Sequence, residues 1–340
     1  MLRVAIIGLG KMGLSLYSII NMHDDVEVAG VCDKSGYLLD ILKKYTGVGV
    51  YTDYVEMFDK EDLDAVLVAT PPKMHYAIVK MAIEKGIHVY CEKPFTLDPA
   101  QSRELASLAQ ARGLVNQVGY HYRFVGAFQE VKRLLDLKAI GKVSHVLAEA
   151  YGPVVLRRKD STWRTDRKQG GGCVYDYAAH PLNLVTWFLG TPSRAGGGVL
   201  NSIFSEETDD EVYGTLFFED GVSAQLSINW SDESYRKMST KISIWGTKGN
   251  ITADRQEVHV YLRDKAEVPE GYVHGWNSRN TTELTKPVFF YVRGEEYSAE
   301  LDHFIKSIQG KHDVPISSFE GAAATDEAIA MLIADAVTCR

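Results

Sequence analysis

The chain has 340 residues, 45% of them apolar and 24% charged, with a formal net charge of -8. That length predicts two domains, and the composition is that of a globular protein. The acidic balance argues against a nucleic-acid partner, which calls for a basic face. No apolar run approaches the roughly 20 residues needed to span a bilayer, and the N-terminus runs directly into an apolar strand, so a cytoplasmic protein is expected. Cys32, Cys91, Cys173 and Cys339 have no paired spacing, which argues against a disulfide framework and a structural zinc site.

The first third alternates strand and helix patterns. Arg3–Ile7 reads as a strand, followed by Gly8-Leu9-Gly10-Lys11-Met12-Gly13 and an apolar-periodic helix ending near Met22. Glu27–Cys32 and Ala65–Ala69 read as further strands, the latter closed by Thr70-Pro71-Pro72. A helix near His75–Lys85 leads to the strand Ile87–Cys91, and Asp98-Pro99 caps a helix ending near Gly113. Near-continuous apolar strands alternating with helices predict a doubly wound, mostly parallel sheet.

Beyond about residue 122 the pattern changes. Phe124–Leu137 predicts a helix and Lys142–Tyr151 a strand; the Gly170-Gly171-Gly172 loop then opens a helix to Leu189. From Val199 to Val260 alternating strands are joined by turns such as Glu219-Asp220-Gly221 and Lys248-Gly249-Asn250, which predicts a mostly antiparallel sheet in an α+β domain. Tyr297–Ile308 and Ala322–Val337 return to helix. The expected division is a dinucleotide-binding domain at 1–121 and an α+β substrate domain at 122–320, with helix 321–339 packing back on the first.

G-x-G-x-x-G between a strand and a helix, with Asp33 twenty residues beyond Gly13 at a strand end, meets the context of a dinucleotide fingerprint. Gly8 permits the turn, Gly10 close approach of the pyrophosphate and Gly13 helix packing, while the amides around Lys11 and Met12 offer a positive helix end. A carboxylate at Asp33 accepts ribose hydroxyls and repels a 2′-phosphate, which favours NAD. Lys34 and Ser35 could soften that repulsion, so NADP stays the alternative.

Ala69-Thr70-Pro71-Pro72 with His75, Glu92-Lys93-Pro94, Tyr120-His121-Tyr122-Arg123, and Gly170-Gly171-Gly172 leading into Asp176 and His180 complete a second set of motifs. With the glycine loop, in this order and spacing, the chain resembles the glucose-fructose oxidoreductase / inositol dehydrogenase / MocA family. The resemblance implies an N-terminal Rossmann domain, a C-terminal domain whose open sheet forms homodimer or homotetramer contacts, and a cis bond before Pro94. It also implies cofactor contacts from Thr70, Pro71, Pro72, His75, Glu92 and Lys93. Two departures stand out: Ala178 replaces the glycine of the family's Asp-x-Gly-x-His-x-x-Asp pattern, and Asn183 its second Asp.

Oxidation of an alcohol by a nicotinamide needs a base for the hydroxyl proton, and imidazole suits that task. His180 is expected to take it. Asp176, four residues earlier on the same helical face, would orient the ring or hold a hydroxyl. Lys93 would support alkoxide character as a fixed cation. The competing reading makes Glu92-Lys93 a solvated pair at a strand end and Asp176/His180 a surface ion pair. His75 reads first as a cap of the helix that follows Pro72. Tyr122, Arg123, Trp163, Arg164 and Asn183 are substrate candidates; Arg123 serves equally as an ion-pair partner. The basic stretch 157–168 would suit an anionic substrate or be a solvated loop, and the aromatics Tyr272, His274 and Trp276 could stack on a sugar. The expected activity is NAD(P)-dependent hydride transfer at a secondary hydroxyl or ketone of a sugar, cyclitol or nucleotide sugar. The alternatives are a tightly held NAD serving hydrolysis or elimination through transient oxidation, and a sensor without turnover.

Overall fold

The computed structural model describes residues 1–154, 163–312 and 315–338. The chain divides into two compact units, one of residues 1–121 with 287–323, the other of residues 122–286 with 324–340.

The first unit is built on β1 (Leu2–Ile7), α1 (Lys11–Ile20), β2 (Val26–Cys32), α2 (Gly36–Thr46), β3 (Gly49–Tyr51), α3 (Tyr54–Lys60), β4 (Ala65–Val68), α4 (His75–Glu84), β5 (His88–Cys91), α5 (Pro99–Ala111) and β6 (Asn116–Val118). Its strands form one parallel sheet in the order β3-β2-β1-β4-β5-β6. The order reverses between β1 and β4, the switch point where such sheets bind ligands at their strand C-termini. β4 is buried at every residue, as a central strand covered on both faces must be. Asp98 accepts the Ala100 N–H at 2.9 Å, with Pro99 at the first helical position, so α5 starts where the sequence predicts. α2, β3 and α3 escape sequence reading: α2 buries only Leu39 and β3 has three residues, so neither leaves a periodic apolar signal.

In the second unit α6 (Gly126–Asp136), β7 (Val143–Tyr151) and α7 (Ala179–Leu189) precede β8 (Arg194–Asn201), β9 (Glu211–Phe217), β10 (Ser223–Asn229), β11 (Ser239–Gly246), β12 (Gly249–Ala253), β13 (Glu257–Leu262), β14 (Gly275–Asn280) and the short α8 (Thr281–Leu284). Eight strands form one sheet, β14-β13-β12-β11-β7-β10-β9-β8. Hairpins join β8 to β10 and β11 to β14, but β7 lies between β10 and β11, parallel to the former and antiparallel to the latter. The run of strands is therefore two meanders seamed by an earlier strand. α6 and α7 pack on one face through residues such as Ala148, Ala150, Ile242 and Ile244.

α9 (Glu295–Ile308) counts with the first unit, where Leu301, Phe304 and Ile305 enter the core of β1, β2 and α1. α10 (Phe319–Thr338) begins in the first unit, Phe319 lying 4.2 Å from the Phe95 ring, and continues in the second, where Asp335 accepts the Gly198 N–H at 2.5 Å. No helix among the described residues is long and apolar enough to cross a membrane.

Candidate active site

On the first unit the glycine loop has the shape that a dinucleotide requires. Gly8 has φ +93°, and a Cβ on it would stand 2.7 Å from the Ala69 carbonyl oxygen. A Cβ at Gly13 would stand 1.8 Å from the Gly8 carbonyl oxygen, so α1 lies directly on the loop. Gly10, the N-cap of α1, instead faces open space, with nothing within 4 Å of its Cβ position. Two glycines are thus required by the protein itself, while the third keeps a space clear at a helix N-terminus. Lys11 is exposed there and Met12 is partly buried against the core.

Asp33 fixes the loop from the next strand: one carboxylate oxygen accepts the Leu9 N–H at 2.6 Å and the other the Ser35 N–H at 2.8 Å. Each oxygen retains acceptor capacity for a ribose hydroxyl. After β4, Thr70 Oγ1 is buried without a hydrogen-bond partner, and Pro71 and Pro72 lead into a single 3₁₀ turn. The open space at Gly10, the free end of α1 and the half-buried Asp33 fit a dinucleotide; these residues would hold NAD.

His75 is fully buried. Its Nε2 lies 2.9 Å from the Thr70 carbonyl oxygen, and its Nδ1 lies 3.0 and 3.1 Å from those of Pro94 and Phe95. Burial pushes its pKa down, against three carbonyls that favour a second ring proton. It ties the loop after β4 to the segment after β5; the helix-capping role expected from the sequence is not seen, since α4 has Met74 as its N-cap and no side-chain cap bond. The Lys93–Pro94 bond is cis. Glu92 is buried, and burial pushes its carboxyl up to about 7 against the pull of Lys93, the Lys93 amide, Tyr90 and Arg293. A solvated surface pair is therefore excluded for Glu92.

The second unit carries the acid and the imidazole. Asp176 and His180 are each 5% exposed, so they are not a surface ion pair. The segment Val174–Ala178 is a π-helical turn running into α7, a widening that recurs at functional sites. It alters the helical phase read from the sequence between Asp176 and His180. Asp209 holds the start of this turn, its carboxylate accepting the Val174 N–H at 2.7 Å and its carbonyl the Cys173 N–H at 2.9 Å. Asp176 accepts from Arg164 Nε at 2.7 Å, and the Arg164 guanidinium lies 4.7 Å from the centre of the Trp163 ring. Burial works against the Arg164 charge, but Asp176 beside it holds its pKa above the ordinary value. The His180 ring packs against Tyr122, centroids 5.0 Å apart, and the Tyr122 hydroxyl accepts from Thr240 at 3.4 Å.

Arg123 and Asn183 are engaged with one another. Arg123 Nε donates to Asn183 Oδ1 at 2.7 Å, its guanidinium lies over the Trp187 ring, and Asn183 donates to Thr325 Oγ1 at 2.9 Å. With exposures of 4% and 1%, both are buried. Tyr272 is buried and donates to Glu130 at 2.7 Å, and His274 faces the Ala266 carbonyl; Trp276 is exposed on β14 against Tyr261. In the basic stretch, 157–162 lie outside the described residues, as does Cys339. Asp209, Tyr90 and Glu300 escape sequence reading, since nothing local marks an isolated acid or tyrosine as a support.

A family profile described as an oxidoreductase family with an NAD-binding Rossmann fold matches residues 2–120, and the corresponding GFO/IDH/MocA C-terminal domain profile matches residues 128–252. D-glucoside 3-dehydrogenase of Escherichia coli (strain K12) is 27% identical over 289 residues, covering 78% of this chain and 80% of that protein. A 2,7-anhydro-N-acetylneuraminate hydratase of Mediterraneibacter gnavus is 26% identical, covering 77% and 73%. Among solved structures, GenD2 from gentamicin A biosynthesis in complex with NAD superposes with a TM-score of 0.79 at 25% identity, covering 100% of this chain and 95% of that one. Levoglucosan dehydrogenase in complex with NADH gives 0.85 at 21% identity, covering 99% and 97%. The parallel sheet with its glycine loop, the open eight-stranded sheet and both profile matches place this chain in the GFO/IDH/MocA family, as an NAD-binding oxidoreductase.

Proposed function

We propose that this enzyme is a dehydrogenase that transfers a hydride between NAD and a secondary hydroxyl or ketone of a sugar, cyclitol or nucleotide sugar. The observation that carries the proposal is the buried Asp176 on a π turn, held by Arg164, and the buried His180 just beyond it on α7, packed on Tyr122, in a chain with an intact NAD loop. NAD, when bound, supplies the hydride acceptor at its nicotinamide ring. His180 accepts the hydroxyl proton and returns it in reduction, Asp176 orients the ring or a substrate hydroxyl, and Lys93 donates to the reacting oxygen and supports its negative charge. Sugar dehydrogenases among the relatives support the substrate class. Arg164 is paired with Asp176, so its charge is engaged with that carboxylate.

Nicotinamide absorbance, followed with NAD or NADP and a panel of cyclitols, aldoses, sugar phosphates and nucleotide sugars, tests the proposal. Reduction with one class is expected; silence across the panel in a protein that binds NAD would refute it. A second reading, NAD retained through a hydrolysis or elimination, is favoured by one observation: a hydratase stands among the relatives. Stoichiometric nucleotide that copurifies and is not exchanged on turnover would select it. We also propose that the sheet face opposite α6 and α7, where His145, Leu147, Tyr151 and Trp245 are partly exposed, meets a second copy of this chain. Light scattering should then give the mass of a dimer or tetramer, and a monomeric mass would refute it.

A further inference from the structure

A buried polar cluster behind Glu92-Lys93-Pro94 is not used by the chemistry proposed above. The Tyr90 hydroxyl, on β5, lies 3.0 Å from Glu300 Oε2 and 3.4 Å from Glu92 Oε1. Tyr90 and Glu300 are fully buried and Glu92 is 7% exposed. Glu92 Oε2 in turn accepts the Lys93 N–H at 3.3 Å. Gly119 closes the cluster, since a Cβ there would stand 2.7 Å from the Tyr90 hydroxyl and 3.1 Å from the Glu92 carboxylate. The other titratable and charged groups acting on it are Lys93 and Arg293 on Glu92, Glu296 on Glu300, and Tyr297 on Tyr90.

A phenol has one proton to donate. It can satisfy one carboxylate, and its contact with the other is a hydrogen bond only if that carboxyl brings its own proton. Two ionised carboxylates this close and this buried repel strongly, so one of them keeps a proton. The surroundings decide which. Glu92 has two cations and an amide N–H in its favour; the charges acting on Glu300 are both negative, Glu92 and Glu296. Glu300 Oε1 also makes no hydrogen bond, as befits the carbonyl oxygen of a neutral acid. The proton therefore stays on Glu300 Oε2 and donates to the Tyr90 oxygen, while the Tyr90 O–H donates to Glu92 Oε1. Burial raises both acids, Glu92 to about 7 and Glu300 well above the ordinary carboxylate range.

We infer that Tyr90 and Glu300 are positioning residues, forming a buried hydrogen-bond chain that supports the negative charge of Glu92 next to Lys93 and so governs when that charge is present. The inference rests on the reading that Lys93 serves the reacting oxygen. Glu92 acts on the Lys93 ammonium through their mutual attraction, and its charge alters how much of that cation is left for a substrate alkoxide. No bond is made or broken in the chain; it holds protons in place.

The test uses the full-length protein and the variants E92Q, Y90F and E300Q, with two readouts. The first is the protonated-carboxyl stretch followed by infrared titration, without cofactor or substrate. In the wild type one buried carboxyl should lose its proton near the value of about 7 and a second, that of Glu300, should keep its proton through that transition. E92Q should lack the first transition. E300Q should lack the persistent band and leave the first transition in place, because the glutamine amide still donates to Tyr90. Y90F should move the first transition to higher pH. A shift to lower pH in E300Q would show that Glu300 is charged, and an unmoved transition in Y90F would show that the chain gives no support; either overturns the inference. The second readout is the pH profile of kcat/KM, whose midpoint should follow the infrared transition upward in Y90F. A profile that stays fixed while the infrared transition moves overturns the positioning role. Infrared behaviour as expected without turnover of any substrate defeats the dehydrogenase reading instead, and leaves the hydrogen-bond chain standing.

Discussion

Gly10→Ala separates what the glycine loop does for the fold from what it does for the cofactor. Gly10 has φ -61° and ψ -175°, a conformation alanine adopts freely, and its Cβ would touch nothing within 4 Å. Lower unfolded-state entropy should stabilise the variant by about 0.4–1 kcal/mol. Alanine is a poorer helix N-cap than glycine, which costs a comparable amount, on the order of 0.5–1 kcal/mol. The two nearly cancel, so the cofactor-free protein should unfold at close to the wild-type temperature. Binding should suffer much more, because the new methyl enters the space kept clear for the pyrophosphate. Overpacking of this kind costs about 1–3 kcal/mol, which is roughly a 5- to 150-fold rise in Kd for NAD. Thermal unfolding without cofactor and NADH fluorescence titration measure the two effects. Gly13→Ala is the contrasting control: its Cβ would stand 1.8 Å from the Gly8 carbonyl, a backbone atom, so both stability and binding should fall. An unchanged NAD affinity in Gly10→Ala would refute the assignment of that space to the cofactor.

Lys93→Met and His180→Ala should each lower kcat by roughly 10²–10⁴-fold, the range for a positioned proton-transfer group, with NADH binding retained; near-normal turnover in both would remove them from the chemistry. Arg164→Ala leaves Asp176 in a largely buried site without its guanidinium. Breaking a buried pair costs about 3–5 kcal/mol, but the Arg164 side chain is 38% exposed, so a loss of about 1–2 kcal/mol in urea unfolding is expected, together with lower turnover. Full activity in that variant would show that Asp176 needs no cation. Glu92 is raised from 4.5 to about 7 in the folded state, so between those values the folded protein holds a proton that the unfolded chain has released. This stabilisation is fully present below 4.5 and lost as pH rises through about 7. At about 1.4 kcal/mol per unit the loss amounts to roughly 3 kcal/mol. Glu92→Gln should remove that contribution and lessen the fall of stability in chemical denaturation from pH ~5 to ~8, leaving the part due to Glu300; a slope identical to wild type would contradict a protonated Glu92 at low pH.

The parallel sheet was legible because its central strands are short apolar runs buried on both faces, each followed by a glycine, a proline or an N-cap. β4 with Thr70-Pro71-Pro72, and α5 opened by Asp98-Pro99, are the clearest cases. α2 and β3 were not, since a helix with one buried residue and a three-residue strand carry no period. The position of β7 was not legible either. Alternation tells which face of a strand is buried, and β7 alternates in the same way wherever it sits in the sheet, so its place between β10 and β11 is a long-range fact.

The residues that would touch cofactor or substrate follow the same division. Gly8, Gly10, Asp33, Glu92, Lys93, Asp176 and His180 stand in local motifs, because a loop, a strand end or one helical turn fixes their spacing. What tunes them lies far off in sequence: Glu300 is 210 residues from Tyr90, and Asp209 is 35 from Val174. Such supports leave no signature, because a single buried acid looks like any other until its partners are known. Arg123 and Asn183 show the converse. Both stand in motif positions that suggested substrate contact, and both are buried with the Arg123 Nε donating to the Asn183 side chain at 2.7 Å. The replacement of the family's second aspartate by Asn183 is then intelligible: a neutral amide accepts from Arg123 through its oxygen and donates to Thr325 through its nitrogen, whereas an ionised carboxylate could only accept.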